Sequence, residues 1–202
     1  MIKTLIFDFG DVFLNLDKPA TLEELKKLGL GDFSNEMVAT NKAYEVGKLS
    51  TEEFLKFYQK HFPKQKDSAL VQAWNAILLD FPQHRLEFLQ QLKKEGKYQL
   101  ILLSNTNDLH IKWVKKNIKN FTEFKNCFDA FYLSHEINFR KPDPAIYKFV
   151  ARRHDLNPEE TLFVDDTEDN TEAAKKLGFR TWNIDPAKQD VVDLFSHKAD
   201  LF

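Results

Sequence analysis

Three short apolar segments, each followed directly by a cluster of polar residues, constrain the fold of this chain more than any other feature. Asp8 follows the first segment, Ser104 ends the second, and Asp165 follows the third. Apolar strands without polar alternation are those covered on both faces, as in the parallel sheets of α/β proteins. Helical patterns lie between them, so strands and helices alternate. We therefore predict a doubly wound parallel sheet, with the three clusters at its carboxyl edge, where such folds bind ligands.

Further elements are predicted from hydrophobic periodicity and from residues typical of helix ends. Weaker strand candidates begin at Phe131 and Arg180, and they would extend the sheet. Gly178 is a candidate C-terminal cap for the last predicted helix. The predicted core helices cover residues 84–95, 109–118, 144–154 and 170–177.

Residues 18–82 interrupt the alternation, because they contain no convincing strand and carry a series of helix starts. Thr21 and Ser50 each precede a glutamate at the spacing of a capping box. Ser34 and Asp67 are candidate N-caps of two more helices. We predict an inserted bundle of about four helices that forms a cap over the carboxyl edge of the sheet. The predicted domains are a core of residues 1–17 and 83–202 and a cap of residues 18–82.

The composition is that of a soluble globular protein and excludes several functional classes. Of 202 residues, 43% are hydrophobic and 30% charged, enough for one large core with a modest insertion. A net charge of -2 offers no basic surface for nucleic acid. Cys127 is the only cysteine, which excludes a disulfide within the chain. No stretch approaches a membrane span or a signal-peptide core, so we expect no membrane partner and a cytoplasmic location. The sequence leaves the oligomeric state open.

The strand-end residues and one lysine together form a candidate site. Asp8 is a potential carboxylate nucleophile, and Ser104 a hydroxyl that can bind phosphate oxygens. Lys141 adds a cation, and Asp165 and Asp166 form a carboxylate pair suited to a divalent metal. Each residue alone is weak evidence, since an aspartate at a strand end more often serves a turn. Their convergence on one edge predicts a site for a phosphate group and a metal ion.

Four stretches of the chain carry a resemblance to a known family: residues 7–12, 103–107, 140–147 and 164–170. They resemble the motifs of haloacid dehalogenase (HAD) superfamily hydrolases that have a helical cap inserted after the first motif. Within that superfamily, the chain is similar to bacterial sugar-phosphate phosphatases related to α-D-glucose-1-phosphate phosphatase and, more distantly, to the phosphatase domain of soluble epoxide hydrolase. The resemblance covers essentially the whole length.

The resemblance implies a phosphatase that hydrolyses a small phosphorylated metabolite, with a sugar phosphate as the first choice. Asp8 would attack phosphorus to form an aspartyl-phosphate, which water then hydrolyses. Lys141 would offset the negative charge of the nucleophile and the phosphoryl group. Ser104 and the backbone of Asn105 would bind the nonbridging oxygens.

The resemblance also implies Mg²⁺ as the cofactor. A carboxylate that attacks a dianionic phosphate faces charge repulsion, which a divalent cation relieves. Asp8, the carbonyl of Gly10 and Asp166 would bind the metal ion. Asp165 and Asn170 would orient these ligands.

One position departs from most phosphatases of the superfamily. They carry a second aspartate two residues after the nucleophile, as general acid and base, whereas this chain has Gly10. The glucose-1-phosphate phosphatase branch resembles this chain in having glycine there, so the departure puts the proton-transfer step in doubt rather than the activity. Asp11 stands one residue too far along, and its role stays open. His110 would either contact substrate or lie on a helix face.

Two alternative functions stay open. A 2-haloacid dehalogenase also lacks the second aspartate, but it needs no metal, and Asp165 and Asp166 beside Asp8 would then repel one another. A phosphometabolite-binding protein of weak activity would retain the pocket without efficient turnover. Simple binding does not require an attacking carboxylate, which favours the phosphatase.

Overall fold

The computed structural model describes all 202 residues, Met1–Phe202, and its centre is a five-stranded sheet. The strands are β1 (Thr4–Phe7), β2 (Gln99–Ser104), β3 (Ala130–Leu133), β4 (Thr161–Asp165) and β5 (Arg180–Asn183). Their order is β3-β2-β1-β4-β5, and every neighbouring pair is parallel. The strand order reverses at β1, so the predicted doubly wound parallel sheet is confirmed.

Four α-helices follow β1: α1 (Ala20–Lys27), α2 (Asn35–Glu45), α3 (Thr51–His61) and α4 (Asp67–Asn75). Ser34 caps α2, and Ser50 forms the predicted capping box of α3. The capping box predicted at Thr21 is wrong, because Thr21 lies inside α1 and its hydroxyl donates to the Trp74 carbonyl. Asp67 is the first residue of α4 rather than its N-cap.

Seven further α-helices surround the sheet: α5 (Gln83–Glu95), α6 (Asp108–Asn117), α7 (Phe121–Asn126), α8 (Ser134–Ile137), α9 (Pro144–His154), α10 (Glu168–Lys175) and α11 (Leu194–His197). The four helices predicted for the core are present, each within two residues of its predicted bounds. Gly178 lies beyond the α10 C-cap, Lys176, and its φ of +91° ends the following turn. None of the eleven helices has the length and apolar character needed to cross a bilayer.

The alternation of side chains along each strand produces two apolar clusters, one on each face of the sheet. In β1, Leu5 and Phe7 join a cluster of 26 buried residues, whereas Ile6 joins a cluster of nine. Helices α5, α6 and α7 cover the first face, and α9 and α10 cover the second. Both faces are therefore buried, which leaves the strand ends as the place where polar side chains reach solvent.

The four-helix insertion has an apolar cluster of its own. Ten buried residues form it, and its aromatic rings pack closely: Tyr44 stacks on Phe54 at 4.2 Å between centroids, and Phe54 meets the edge of Trp74 at 4.7 Å. Leu109 of α6 belongs to the same cluster. The insertion is thus packed on the core at the start of α6, directly after the polar segment that follows β2.

A second contact joins the insertion to the core at residues 45–47, which we call the docking turn. The hydroxyl of Ser134 donates to the Glu45 carbonyl at 2.6 Å, and the Asn138 amide donates to the Val46 carbonyl at 2.8 Å. Both donors lie in or just after α8, at the carboxyl end of β3. The docking turn therefore holds the end of α2 against the carboxyl edge of the sheet.

Gly47 allows this contact. Its φ is +67°, and a Cβ there would lie 2.2 Å from the His135 carbonyl oxygen.

Gly96 has a similar φ of +62° but open space around it, so it provides a matched control. We expect Gly96→Ala to lower the free energy of unfolding by about 1 kcal/mol, the cost of a left-handed alanine. We expect Gly47→Ala to lower it by at least about 1 kcal/mol more, because the clash adds to that cost. Urea unfolding of both variants measures the difference; equal losses would contradict the close contact.

Candidate active site

The ammonium group of Lys141 lies at the centre of the polar cluster beyond the strand ends. Lys141 is fully buried, and its Nζ lies 2.8 Å from Asp8 Oδ1 and 2.6 Å from Asp165 Oδ2. It also donates to the Leu103 carbonyl at 2.7 Å. Asp8 Oδ1 accepts no well-aligned hydrogen bond, so its contact with Lys141 is an ion pair. The structure therefore brings together the predicted nucleophile, the predicted lysine and the first aspartate of the β4 pair.

The protonation of this pair follows from burial and from neighbouring charge. Burial raises the pKa of Asp8 to about 7; Lys141 opposes the rise, while Asp165 and Asp166 add to it. Burial lowers the pKa of Lys141, but Asp165 and Asp8 outweigh that effect, so the pKa is raised overall. Lys141 thus stays protonated, whereas Asp8 needs additional positive charge to be fully ionised at neutral pH.

Asp165 is occupied by the protein on both of its oxygens. Oδ1 accepts from the Thr167 amide at 2.9 Å and from Asn170 Nδ2 at 3.0 Å. Oδ2 accepts from Lys141 Nζ and, at 3.1 Å, again from Asn170 Nδ2. Asp165 is fully buried, so its role is within the protein: its carboxylate orients Lys141 and is itself oriented by Asn170.

The remaining oxygen donors suit a divalent cation. Asp8, Asp165 and Asp166 each offer an oxygen within 4.8 Å of the others. The carbonyl of Gly10 accepts no hydrogen bond from the chain. Because Asp165 is already engaged, Asp8, Asp166 and the Gly10 carbonyl are the donors left for a metal ion, and all three are hard oxygen ligands of the kind Mg²⁺ prefers.

Lys18, the first residue of the insertion, supplies a second cation to the cluster. Its ammonium group pairs with Asp166 and lies 3.1 Å from Asp11 Oδ2. Four carboxylates then face two ammonium groups, so the cluster carries two excess negative charges when all four carboxylates are ionised. A divalent cation would neutralise that excess, so the residues present fit one.

Groups that can bind phosphate oxygens lie beside the nucleophile. The backbone amides of Phe9, Gly10 and Asn105 donate to no acceptor in the chain. The hydroxyl of Ser104 also makes no hydrogen bond. Free amides in the two loops that follow neighbouring parallel strands form an anion-binding arrangement. Backbone N–H groups were predicted to bind phosphate, but only that of Asn105 was identified by residue, and those of Phe9 and Gly10 were not.

The side chain of Asn105 has a role that the sequence did not indicate. Its Nδ2 donates to the Lys141 carbonyl at 2.8 Å, and its Oδ1 accepts from the Lys141 amide at 2.8 Å. These two bonds hold the backbone of Lys141 against the loop after β2. Asn105 thereby connects a predicted phosphate-binding loop to the buried lysine.

His110 is a neutral ring held by the protein. Its Nε2 lies 3.2 Å from the Trp74 carbonyl, and its Nδ1 lies 3.2 Å from the Asn107 side-chain amide. Burial lowers its pKa to about 4. The ring also stacks on Trp74. Both nitrogens are therefore engaged within the protein, which favours a structural role over acid-base catalysis.

Neither Gly10 nor Asp11 provides a free carboxylic acid that could act as the general acid beside Asp8. Asp11 has a φ of +53°, and its Oδ1 accepts from the Leu16 amide at 3.0 Å, while Oδ2 faces Lys18. A Cβ at Gly10 would lie 2.6 Å from Leu16 Cδ1. The volume beside Gly10 is thus filled by Leu16, and Asp11 is engaged in ordering the same loop.

A cavity of about 140 Å³ opens beside these groups. The core lines it with the loops after β1 and β2, including Gly10 and Ser104, and the insertion lines it with Glu45, Ile77 and Leu78. Neither Glu45 nor Lys18 was predicted to be a site residue. Both lie where the insertion meets the core, and their position depends on tertiary packing.

The chain is similar in sequence to known hydrolases along most of its length. The chain matches the haloacid dehalogenase-like hydrolase family over residues 2–178. It is 31% identical to D-ribitol-5-phosphate phosphatase of Bacteroides thetaiotaomicron, over 90% of this chain and 91% of the relative. It is 28% identical to glyceraldehyde 3-phosphate phosphatase of Methanocaldococcus jannaschii, over 91% of this chain and 85% of the relative.

Among solved structures, a HAD family enzyme from Bacteroides thetaiotaomicron, in complex with magnesium and inorganic phosphate, superimposes with a TM-score of 0.85 and 35% identity, covering 96% of this chain and 99% of that one. A predicted HAD-like hydrolase from Porphyromonas gingivalis also gives a TM-score of 0.85, at 26% identity, covering 98% of this chain and 97% of that one. Motifs, fold and relatives agree, and the protein belongs to the haloacid dehalogenase-like hydrolase family.

Proposed function

We propose that the protein is a Mg²⁺-dependent phosphatase that hydrolyses a small phosphorylated polyol or sugar through an aspartyl-phosphate on Asp8. The observation that carries this proposal is the buried ion pair between Asp8 and Lys141, in a cluster where carboxylates outnumber ammonium groups by two. Similarity to phosphatases of ribitol 5-phosphate and glyceraldehyde 3-phosphate supports the substrate class.

Asp8, Asp166 and the Gly10 carbonyl would hold the metal ion, with Asp165 and Asn170 orienting the residues around it. When bound, Mg²⁺ supplies positive charge that reduces repulsion between a carboxylate and a phosphate dianion. Its presence in the crystallised HAD enzyme from Bacteroides thetaiotaomicron supports this choice of ion.

The chain's own residues account for the other parts of the reaction. Asp8 attacks phosphorus and breaks the ester P–O bond, and the leaving oxygen departs as an alcohol that takes its proton from water. Lys141 stabilises the charge that the Asp8 carboxylate and the phosphoryl oxygens share. The free amides of Phe9, Gly10 and Asn105 and the hydroxyl of Ser104 bind nonbridging oxygens. Water then releases phosphate from Asp8 and restores the carboxylate.

The cavity limits the size of the substrate. Its volume of about 140 Å³ is well below the ~300–1,000 Å³ of pockets that hold drug-sized ligands. A small phosphate monoester suits this volume. We further propose that residues 18–82 act as a cap domain and that residues 1–17 and 83–202 form the core, since the insertion supplies one wall of the cavity.

The charge of the site favours a phosphatase over a 2-haloacid dehalogenase. A 2-haloacid adds its own carboxylate to the cluster, and its dehalogenation requires no metal ion. The excess of carboxylates over ammonium groups would then stay without a compensating cation. A binding protein without turnover is also disfavoured, because phosphate binding alone gives no reason to bury Asp8 against Lys141.

Asp8→Asn tests the nucleophile. We expect kcat to fall by more than about 10⁴-fold, as removal of a nucleophile does in other covalent enzymes. The melting temperature is expected to change little, since asparagine keeps the size of the side chain and Lys141 retains Asp165. Phosphate release from a panel of small monoesters, with and without EDTA and Mg²⁺, measures the effect. Activity of the variant within tenfold of the parent, or halide release from 2-chloropropionate in EDTA, would contradict the proposal.

Lys18→Met tests the charge balance of the metal site. Lys18 pairs with Asp166 while about half exposed, so its removal frees a proposed ligand. We expect Mg²⁺ to bind about two- to fivefold more tightly, because the metal ion no longer has to displace an ion pair worth up to ~1 kcal/mol. Titration calorimetry without substrate measures it. Lys26→Met, the same charge change at an exposed position of α1, serves as control. Unchanged or weaker binding in Lys18→Met would show that Lys18 does not compete with the metal.

The absence of an acid at Gly10 predicts a strong dependence on the leaving group. We expect phenyl phosphate to react much faster than a primary alkyl phosphate, since general acid catalysis is worth ~10²–10⁴-fold. Gly10→Asp alone should narrow this gap only slightly, because Leu16 Cδ1 must shift to admit the new side chain. Gly10→Asp with Leu16→Ala should narrow it by about tenfold or more. Single-turnover rates of the parent, both variants and Leu16→Ala alone provide the comparison; equal rates for the two esters in the parent would mean that another acid is in place.

A further inference from the structure

Glu45 is the only charged side chain that lines the cavity beside the nucleophile. It is the last residue of α2 and belongs to the docking turn. The cavity wall contributed by the insertion is otherwise apolar, with Ile77 and Leu78. On the core side, the loops after β1 and β2 provide the groups that bind phosphate. Glu45 thus belongs to the wall that the insertion contributes, whereas the groups that bind phosphate belong to the core.

The other titratable side chain of the cavity is already engaged. His110 has both ring nitrogens within hydrogen-bond distance of Trp74 and Asn107. Asn107 in turn accepts from the His110 amide and from the Trp74 indole. Neither side chain is free to bind a substrate without losing these bonds.

Glu45 retains an unpaired oxygen. Its Oε2 accepts from Arg140 Nε at 3.0 Å, whereas Oε1 accepts no hydrogen bond from the chain and is not enclosed. Burial raises the pKa of Glu45, and Arg140 opposes that rise. A partly buried carboxylate with one satisfied oxygen and one open oxygen can still accept hydrogen bonds from a ligand.

The carboxylate is held in place before any ligand arrives. Ser134 holds the Glu45 carbonyl, and Arg140, the residue before Lys141, holds its side chain. The side chains of Glu45 and Arg140 are 27% and 29% exposed, so the pair is shielded from solvent on most of its surface. Such a fixed acceptor loses little conformational entropy when a substrate binds.

The charge of Glu45 sets which end of a substrate it contacts. A carboxylate repels a phosphate dianion and attracts hydroxyl donors. The free amides of Phe9, Gly10 and Asn105, which attract the phosphate, lie in the core loops that line the same cavity. We propose that Glu45 is a specificity-determining residue, whose open oxygen accepts hydrogen bonds from hydroxyl groups on the carbon skeleton of a polyol or sugar phosphate. This inference rests on the proposed phosphatase function and names the group that selects its substrate.

The test compares two esters of equal chain length, ribitol 5-phosphate and pentyl phosphate, of which the second lacks the free hydroxyls. We expect Glu45→Gln to lower the ratio of their kcat/KM values by about tenfold or more, mainly through KM for ribitol 5-phosphate, because a charge-assisted hydrogen bond is lost. Glu36→Gln, the same change at an exposed position of α2, should leave the ratio unchanged. Should Glu45→Gln fail to fold, Arg140→Gln, which releases the carboxylate from its partner, should lower the same ratio by a smaller factor.

An equal loss for both esters in Glu45→Gln would overturn the inference and show that Glu45 only fastens the insertion to the core. A parent enzyme that hydrolyses neither ester would overturn the proposed function instead. Binding is then measured by calorimetry in Asp8→Asn, with and without Glu45→Gln. A preference for ribitol 5-phosphate that disappears with Glu45→Gln would support hydroxyl recognition even without turnover, and no such preference would overturn it.

Discussion

The buried ammonium group of Lys141 is the interaction on which the rest of the site depends. A charge with no solvent exposure persists only where ionic and hydrogen-bonding partners surround it. Asp165, the Leu103 carbonyl and Asp8 provide those partners from three adjacent strands. Asn105 fixes the lysine backbone from the loop after β2. The position of Lys141 therefore ties the ends of β1, β2 and β4 into one unit.

The order of the strands explains how these residues meet. β1 lies between β2 and β4, and all three run in the same direction. Their carboxyl ends therefore lie side by side, and whatever follows each strand shares one edge. Because apolar clusters bury both faces of the sheet, this edge is where partly solvated polar chemistry can be placed without disturbing the core.

The same geometry explains how much the sequence predicted. Asp8, Ser104 and Asp165 could be predicted to lie together because each stands at the end of a buried parallel strand. Helix α9 matched its predicted bounds, and its start is fixed by the N-cap Asp143 and by Pro144 in its first turn. The capping box predicted at Thr21 did not form, because the Thr21 hydroxyl instead makes a tertiary hydrogen bond to the Trp74 carbonyl. Lys18 and Glu45 had no local signal, since only the packing of the insertion on the core brings them to the site.

If the proposed function holds, Lys18 and Glu45 give the insertion an electrostatic role in binding the substrate. Lys18, at its beginning, places positive charge beside Asp166, whereas Glu45, at the end of α2, places negative charge at the cavity wall. A phosphate ester with hydroxyl groups is itself asymmetric, because its phosphate is anionic and its hydroxyls donate hydrogen bonds. The repulsion between Glu45 and phosphate therefore excludes the reversed orientation, and the same carboxylate stabilises the productive one. On the proposed function, the insertion would thus supply one wall of the cavity and also set the direction in which a substrate binds.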